Sequence, residues 1–585
     1  MSRGKTTRQI LEEAGEGCGT PLYDSQAIAE MRASLEEWRN TVVPDGDRKN
    51  WRTTPRTIIG SGISVGMLYT PLDNPTLVYG RDIGYPGEEP YTRGIHANMY
   101  RGKTWTHRQL SGNGSPEYVN RRLKFLLDHG ATGINLNFDL ATIQMFDSDE
   151  EEADGMVATV GVPVDSIDDF EVIYKGIPID KVSSSLVTHY PRNTAMLFPM
   201  YLVMAERRGV PWDTLTGSVQ NDFIMESAVR SACEWIPPKD AFRVQCDNIE
   251  FIMKEVPRWN SATLNGYNLR EFGTSGITEM AVALSNAMLT IDEMLRRGHD
   301  VDNTVRRLAF FWSIANNFFE EAARIRAVRR LWYRIMKHKY HARDQRSLWM
   351  RCHVQTSGVS LQREEPYNNI VRSAYHALAA VLGGVQSLHI DAYDEAYSVP
   401  GEESSLLGLR TQEIIEAETQ VTGVVDPLGG SFYVEALTDE IERKIIDEID
   451  EIEKIGGLPE AIEKGWLQQK VHQYILEEQR LIEDGVIKIV ARNYYTGPQR
   501  MVPQITSQAY DARIRDAMID KLKTLRRQRD NGKLSRCLDA IIEAGKGDGN
   551  ITYACLEAVR AGATKGEIRR AFAKAFGAWR PKVVL

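Results

Sequence analysis

The sequence predicts an α/β fold: a (β/α)8 barrel with a helical N-terminal arm and a helical C-terminal extension. From about residue 130 to 395, short apolar runs alternate with longer amphipathic ones. Strands alternating with helices imply parallel strands joined by crossover helices. Eight such strands over roughly 260 residues suit a closed barrel better than an open sheet. The chain's 585 residues leave room for segments on both sides.

In chain order, residues 1–60 are polar and predict a helix plus an extended arm. Residues 24–39 form the helix, with Asp24 or Ser25 as N-cap. Pro71, Pro75, Pro86 and Pro90 among glycines and acids predict loops over 67–94. The expected strands are 131–138, 182–190, 215–220, 242–246, 262–267, 307–313, 348–354 and 385–390. The expected helices include 192–208, 221–235, 274–297, 314–338 and 367–382. Residues 437–455 read as an acidic amphipathic helix ending at Gly456–Gly457, 511–530 as a basic helix, and 550–578 as two short helices. The division that follows is an arm (1–85), a barrel (86–430) and a helical extension (431–585).

Hydrophobic residues make up 42% and charged residues 26%, which excludes a largely disordered chain. A net charge of −9 argues against nucleic-acid binding. No apolar run is long enough for a membrane span. The six cysteines form no CxxC pair, and the N-terminus has no apolar signal segment, so a reducing cytoplasm is the expected compartment. The basic helix is expected to be a solvated face or a subunit contact.

The strand ends are polar: Asn135 and Asn137, His189, Gln220 to Asp222, Asn268, Ser313, His353 and Gln355, then His389, Asp391 and Glu395. Barrel enzymes place their sites at such ends. HExxH, Walker A and GxSxG motifs are absent. The glycines of GSGISVG (60–66) lack dinucleotide-binding spacing, and no metal site is expected at the three histidines.

The run EPYTRGIHANMYRGKTWTHRQLSG (89–112) closely resembles the signature of the methylmalonyl-CoA mutase family of acyl-CoA mutases. GSVQNDF (217–223), RLAFFW (307–312), QTSGVSL (355–361), PYNNIVR (366–372), GGVQSLHIDAYDEA (383–396) and DPLGGSFYVEALT (426–438) fit the same pattern. The resemblance implies a barrel that carries acyl-CoA through its centre, with adenosylcobalamin held between the barrel top and a cobalamin-binding domain. Homolysis of the cobalt–carbon bond gives a radical that starts a carbon-skeleton rearrangement. The cofactor supplies the hard chemistry and the protein supplies orientation.

Carried over by resemblance, His96, Asn98 and Met99 lie on a CoA-contacting turn, and Thr106, Arg108 and Gln109 on the next CoA-contacting segment. Arg108 would meet a CoA phosphate. Ser218, Gln220, Arg230, Arg258, Arg307 and Gln355 are further substrate contacts, and Tyr267 lies beside the substrate. Phe138, Asp391 and Glu395 fall on the cofactor side. Tyr267, Asn268 and Arg230 would carry catalysis. Asn268 stands where the family has a histidine on the thioester carbonyl, and asparagine can donate a hydrogen bond but no proton. Asp391 replaces an asparagine, and Leu110 replaces a substrate-facing tyrosine with Asn137 beside it.

The family's cobalt-ligating DxHxxG motif is absent, so a separate small cobalamin-binding subunit is expected, giving a heterotetramer or similar assembly. The family's relatives that act on substrates without a second carboxylate carry glutamine at the Arg230 position. Arg230 with Leu110 therefore points to a substituted, bulky or aryl-bearing succinyl-CoA interconverting with the matching malonyl-CoA. The alternatives are a 2-hydroxyisobutyryl-CoA-type mutase, a non-catalytic assembly partner of a mutase, and a hydrolase or lyase on the same barrel. Ser183, Ser184, Ser185, Asn135, Asn265 and Gln386 predict small and polar barrel-facing positions that leave a channel for pantetheine.

Overall fold

The computed structural model describes residues 5–15, 19–49, 60–224, 226–227, 235–497 and 510–580. Ten parallel strand segments form two five-stranded sheets. In chain order they are β1 (Thr106–Arg108), β2 (Leu110–Ser111), β3 (Gly133–Asn137), β4 (Ser183–Val187), β5 (Gly217–Val219), β6 (Trp259–Asn260), β7 (Ala262–Asn265), β8 (Leu308–Ile314), β9 (Cys352–Thr356) and β10 (Ser387–His389). One sheet runs β1-β10-β9-β8-β7 and the other β2-β3-β4-β5-β6. A single residue, Gln109, separates β1 from β2, and Ser261 separates β6 from β7.

Each crossover carries a helix, as parallel strands require. They include Pro116–Asp128, Pro191–Arg207, Pro238–Glu255, Gly276–Arg296, Phe318–Arg334 and Asn368–Gly383. Ser115 and Ser275 cap two of these through side-chain oxygens that accept from Tyr118 N and Thr278 N.

The register sorts the strand residues into two faces. Leu136, Leu186, Val219, Leu264, Phe310, Trp312, Val354 and Leu388 are buried in the apolar clusters that also contain helix residues. The opposite face pairs Thr106 with Ser387, Arg108 with His389, Leu110 with Asn135, Asn135 with Ser185, Ser185 with Ser218, Asn265 with Phe311, and Ser313 with Gln355. Paired residues of parallel strands share a face, so this face is mostly polar, with serines on β4 and β5 and the larger Arg108, Phe311 and His389 elsewhere.

Two sequence expectations need correction. Residues 242–246 are not a strand; they lie inside the helix Pro238–Glu255, with Val244, Cys246 and Ile249 buried on its inner side. The strand that the count lacked is 106–111, where both faces carry polar residues and no apolar run marks it. Ser184, expected among the channel-facing serines, is fully buried on the apolar side, where Tyr201 Oη donates to its Oγ at 3.5 Å. The expected helix 221–235 falls mostly outside the described residues.

The flanking segments are bound in. The helix begun at Asp24 runs as Ser25–Lys49, with Asp24 Oδ1 accepting from Gln26 N and Ala27 N. The acidic helix is Phe432–Ile455, and it lies on Phe318–Arg334, whose buried Arg326 pairs with Glu435 at 2.6 Å and Arg330 with Asp439 at 2.6 Å. Much of the basic helix (Ala512–Gln528) pairs within the chain. Arg515 meets Asp154 at 2.6 Å, Lys521 meets Glu117 at 3.2 Å, and Arg526 meets Asp147 at 2.9 Å. Helices Ile551–Arg560 and Lys565–Phe576 share one apolar core with Pro191–Arg207 and Pro238–Glu255. No helix among the described residues is long and apolar enough to cross a membrane.

Candidate active site

The carboxyl ends of β7, β9 and β10 bring Tyr267, Gln355, His389 and Asp391 together. Tyr267 opens a one-turn helix (Tyr267–Glu271), and its ring stacks on Phe311 at 4.7 Å and 10°. Gln355 Nε2 donates to Asp391 Oδ1 at 2.7 Å and to Tyr267 Oη at 2.9 Å. The Tyr267 hydroxyl donates to Asp391 Oδ2 at 3.4 Å. His389 Nδ1 accepts from the backbone N–H of Leu110 at 3.1 Å, so the proton sits on Nε2, which faces Asp391 Oδ1 at 3.1 Å. Burial holds His389 neutral by pushing it down to about 4.

Asp391 is buried. Loss of solvent pushes it up to about 7, although Gln355 and Tyr267 pull the other way. Glu271 is raised to about 7 by its packing and then by Asp391. Its carboxylate accepts from Ser357 Oγ at 2.8 Å and Val359 N at 2.9 Å. A carboxyl whose folded value is raised releases its proton later than in the unfolded chain, so folding loses stability as pH rises from about 4 to about 7. Asp391→Asn should flatten this descent by roughly 1 kcal/mol per pH unit. Thermal melts of both proteins from pH 5 to 8 check it, and parallel slopes would contradict it.

The amino ends of the strands are basic. Arg258 precedes β6, Arg306 and Arg307 precede β8, Arg351 precedes β9, and Arg346 lies on the turn before it. None of the five forms an ion pair among the described residues. Burial, then Arg306, Arg346 and Arg258, lower Arg307; burial, then Arg307 and Arg346, push Arg351 down to about 10. His96, exposed on its turn, packs edge-on against Trp349 at 5.0 Å and is lowered by burial and then by Arg351. Asp344 is the one carboxylate that acts on Arg351, and among the described residues the cluster carries an excess of positive charge, which suits an anionic ligand. The sequence reading found Arg258 and Arg307 but not Arg306, Arg346 or Arg351. Their signal was position, an arginine just ahead of a strand.

Between the two ends, Arg108 lies across the polar face. Its Nε donates to Ser387 Oγ at 3.1 Å, Nη1 to Ile134 O at 2.5 Å, and Nη2 to Ser183 Oγ at 3.0 Å. No carboxylate among the described residues pairs with it, and burial pushes it down to about 10. Thr106, Leu110 and Ser218 share this face, and Ser218 Oγ donates to Ser185 Oγ at 3.1 Å. Gln220 is buried, and its Oε1 has no hydrogen-bond donor among the described residues. Asn137 donates to Val160 O at 2.8 Å and faces His189 Nε2 at 3.2 Å.

Other expected site residues lie elsewhere. Gln109 points to the opposite side, donating to Ser405 O at 3.1 Å. Met99 is buried and Asn98 exposed on the turn with His96. Phe138 is fully buried against Phe170. Asn268 is half-buried, its backbone N–H bound to Asn265 Oδ1 at 3.1 Å. Glu395 is exposed at the rim beyond Asp391. Arg230 lies outside the described residues. No cluster of metal-ligating side chains occurs among those described.

Fold and site together define a parallel α/β protein with a polar recess at the strand ends and a cluster of arginines at their starts. Residues 59–578 match the family model for methylmalonyl-CoA mutase. Methylmalonyl-CoA mutase of Rhizobium meliloti is 38% identical over 535 residues, 90% of this chain and 74% of the relative. The 2-hydroxyisobutanoyl-CoA mutase large subunit of Aquincola tertiaricarbonis is 37% identical over 85% of this chain and 88% of its own length. Human mitochondrial methylmalonyl-CoA mutase is 34% identical over 97% of this chain and 74% of its own length. The chain belongs to the methylmalonyl-CoA mutase family, and is thereby an isomerase.

Proposed function

We propose that the chain is the substrate-binding large subunit of an adenosylcobalamin-dependent acyl-CoA mutase. The observation that carries this reading is the opposed chemistry of the two strand ends. The unpaired arginines at the starts suit the phosphates of CoA. The recess of Tyr267, Gln355 and Asp391 suits the reacting end. The shared strands 106–111 and 259–265, and the reach of Arg108 from β10 to β4, support a single closed eight-stranded barrel with the polar face inside. Thioester and pantetheine would then thread between Ser183, Ser185 and Ser218.

Adenosylcobalamin, when bound, supplies the radical that takes a hydrogen atom from the substrate. The chain's own residues hold and orient. Tyr267 and Gln355 present hydroxyl and amide groups to the acyl end. Loss of solvent and then Asp391 push the Glu395 carboxyl up to about 8, so it can both donate to and accept from ribose hydroxyls, and the rim fits the nucleoside part of the cofactor. Asp391 is saturated by Gln355, Tyr267 and His389, and serves to fix those three. Phe272, Val359, Tyr367, Val371 and Ile475 expose apolar surface near this mouth, a suitable seat for a small cobalamin-binding subunit in a heterotetramer. The Aquincola relative's name as a large subunit favours that layout.

For the substrate, Leu110 in place of a tyrosine, with Asn137 adding a polar group where the family has a small residue and with Arg230 kept, favours a dicarboxylic acyl-CoA with a bulky or aryl substituent. The same relative favours 2-hydroxyisobutyryl-CoA as the second reading. The test is turnover of an acyl-CoA panel by the chain alone, with adenosylcobalamin, and with a small subunit added. Turnover is expected only when all three are present. Activity of the chain unaided by cofactor or subunit would overturn the proposal.

A further inference from the structure

Lys565 lies far along the chain from any strand, yet it is completely buried beneath the loop that follows β3. Its Nζ meets Asp165 Oδ1 at 2.9 Å and Thr142 Oγ1 at 3.3 Å, and its backbone N–H donates to Asp165 O at 3.1 Å. Next to it, Thr564 Oγ1 and Gly566 N donate to Asp147 at 2.8 Å each. A Cβ at Gly566 would come within 2.7 Å of the Asp147 carboxylate and Glu150 Oε1, so a larger residue there would push these side chains aside.

The loop so gripped leads back to the recess. Thr142 Oγ1 accepts from Val164 N at 3.0 Å. Asp139, fully buried, accepts from Thr142 N and Ala158 N at 2.7 Å each. Phe138 bridges to Val162, whose N–H donates to Asn137 O at 3.1 Å. Val160 O takes the Asn137 amide at 2.8 Å. Residues 158–165 therefore fix the Asn137 side chain, and Lys565 fixes residues 158–165. A buried lysine costs solvation, which an ion pair offsets only with close partners.

We propose that Lys565 is a positioning residue for the acyl pocket, holding Asn137 in place through Asp165 and the 158–165 loop. Its functional half rests on the mutase reading, and its structural half does not. The test uses Lys565→Met and, should that single change fail to fold, Lys565→Met with Asp165→Asn, which removes both buried charges. Amide hydrogen exchange at Ala158 and Val162 should quicken by about tenfold. With the small subunit and cofactor present, kcat/KM for the acyl-CoA should fall by about tenfold while affinity for CoA alone stays within about twofold. Unchanged exchange at those amides overturns the linkage. Quickened exchange with an equal loss of CoA affinity reduces Lys565 to a general prop and overturns the positioning role. If the wild type turned over no acyl-CoA, the mutase reading would fail, and the exchange result alone would still decide whether Lys565 holds the loop.

Discussion

On the proposed substrate, Arg230→Gln is expected to lower kcat/KM for a substituted succinyl-CoA by at least about a hundredfold, or roughly 2.7 kcal/mol at 1.36 kcal/mol per tenfold. A guanidinium left without its carboxylate in a protein interior costs roughly 3–5 kcal/mol, so the acyl-pocket position that the family resemblance implies for Arg230 favours a substrate that brings the carboxylate. The GSVQNDF run just upstream places Gln220 at the end of β5, where its Oε1 is buried without a donor. An unmet acceptor in that position suits a ligand that donates to it. The measurement is paired kinetics on a substituted succinyl-CoA and on 2-hydroxyisobutyryl-CoA. Loss confined to the dicarboxylate supports the reading. Efficient conversion of 2-hydroxyisobutyryl-CoA by the unaltered enzyme, with succinyl-CoA esters inert, would replace the substrate while leaving the mutase assignment in place.

Much of the architecture was legible because burial writes a pattern. Leu264, Phe310, Trp312 and Val354 alternate with inward residues, and such alternation marks a strand. The same rule misread 242–246, since Val244 and Cys246 stand two apart in a helix whose buried positions include consecutive residues. It missed 106–111 because His107 and Gln109, on the helix side, satisfy themselves with polar partners. His107 pairs with Glu416 at 2.8 Å, and Gln109 donates to Ser405 O. The recess was partly legible through its family motifs, and Tyr267, Gln355 and Asp391 do converge. The arginine cluster was less so, because Arg306, Arg346 and Arg351 are brought together only by the parallel stacking of strand starts. The basic helix showed the limit of charge counting. Its cations face Asp147, Asp154 and Glu117, which lie several hundred residues away in the chain.

Ser185→Leu and Ser184→Leu, adjacent substitutions of the same kind, have opposite expected consequences. Ser185 pairs with Asn135 on one side and Ser218 on the other, on the polar face, within hydrogen-bond reach of Ser218 Oγ. A leucine there fills the space a pantetheine chain would need. Forcing extra methylenes into a fitted space costs about 1–3 kcal/mol, which as lost binding raises KM for CoA esters by about tenfold to a hundredfold. If that face is the thioester's path and so holds open space, the folded state should keep its melting temperature. Ser184 points the other way, against Tyr201 and the helix Pro191–Arg207. Leucine there overpacks a closed core and lowers stability by about 1–3 kcal/mol, leaving KM nearly unchanged. Melting curves and CoA-ester kinetics on the two variants separate the effects. If both variants lost stability and neither changed KM, the polar face would not be the path of the thioester, and the site would have to be reached from outside the strands.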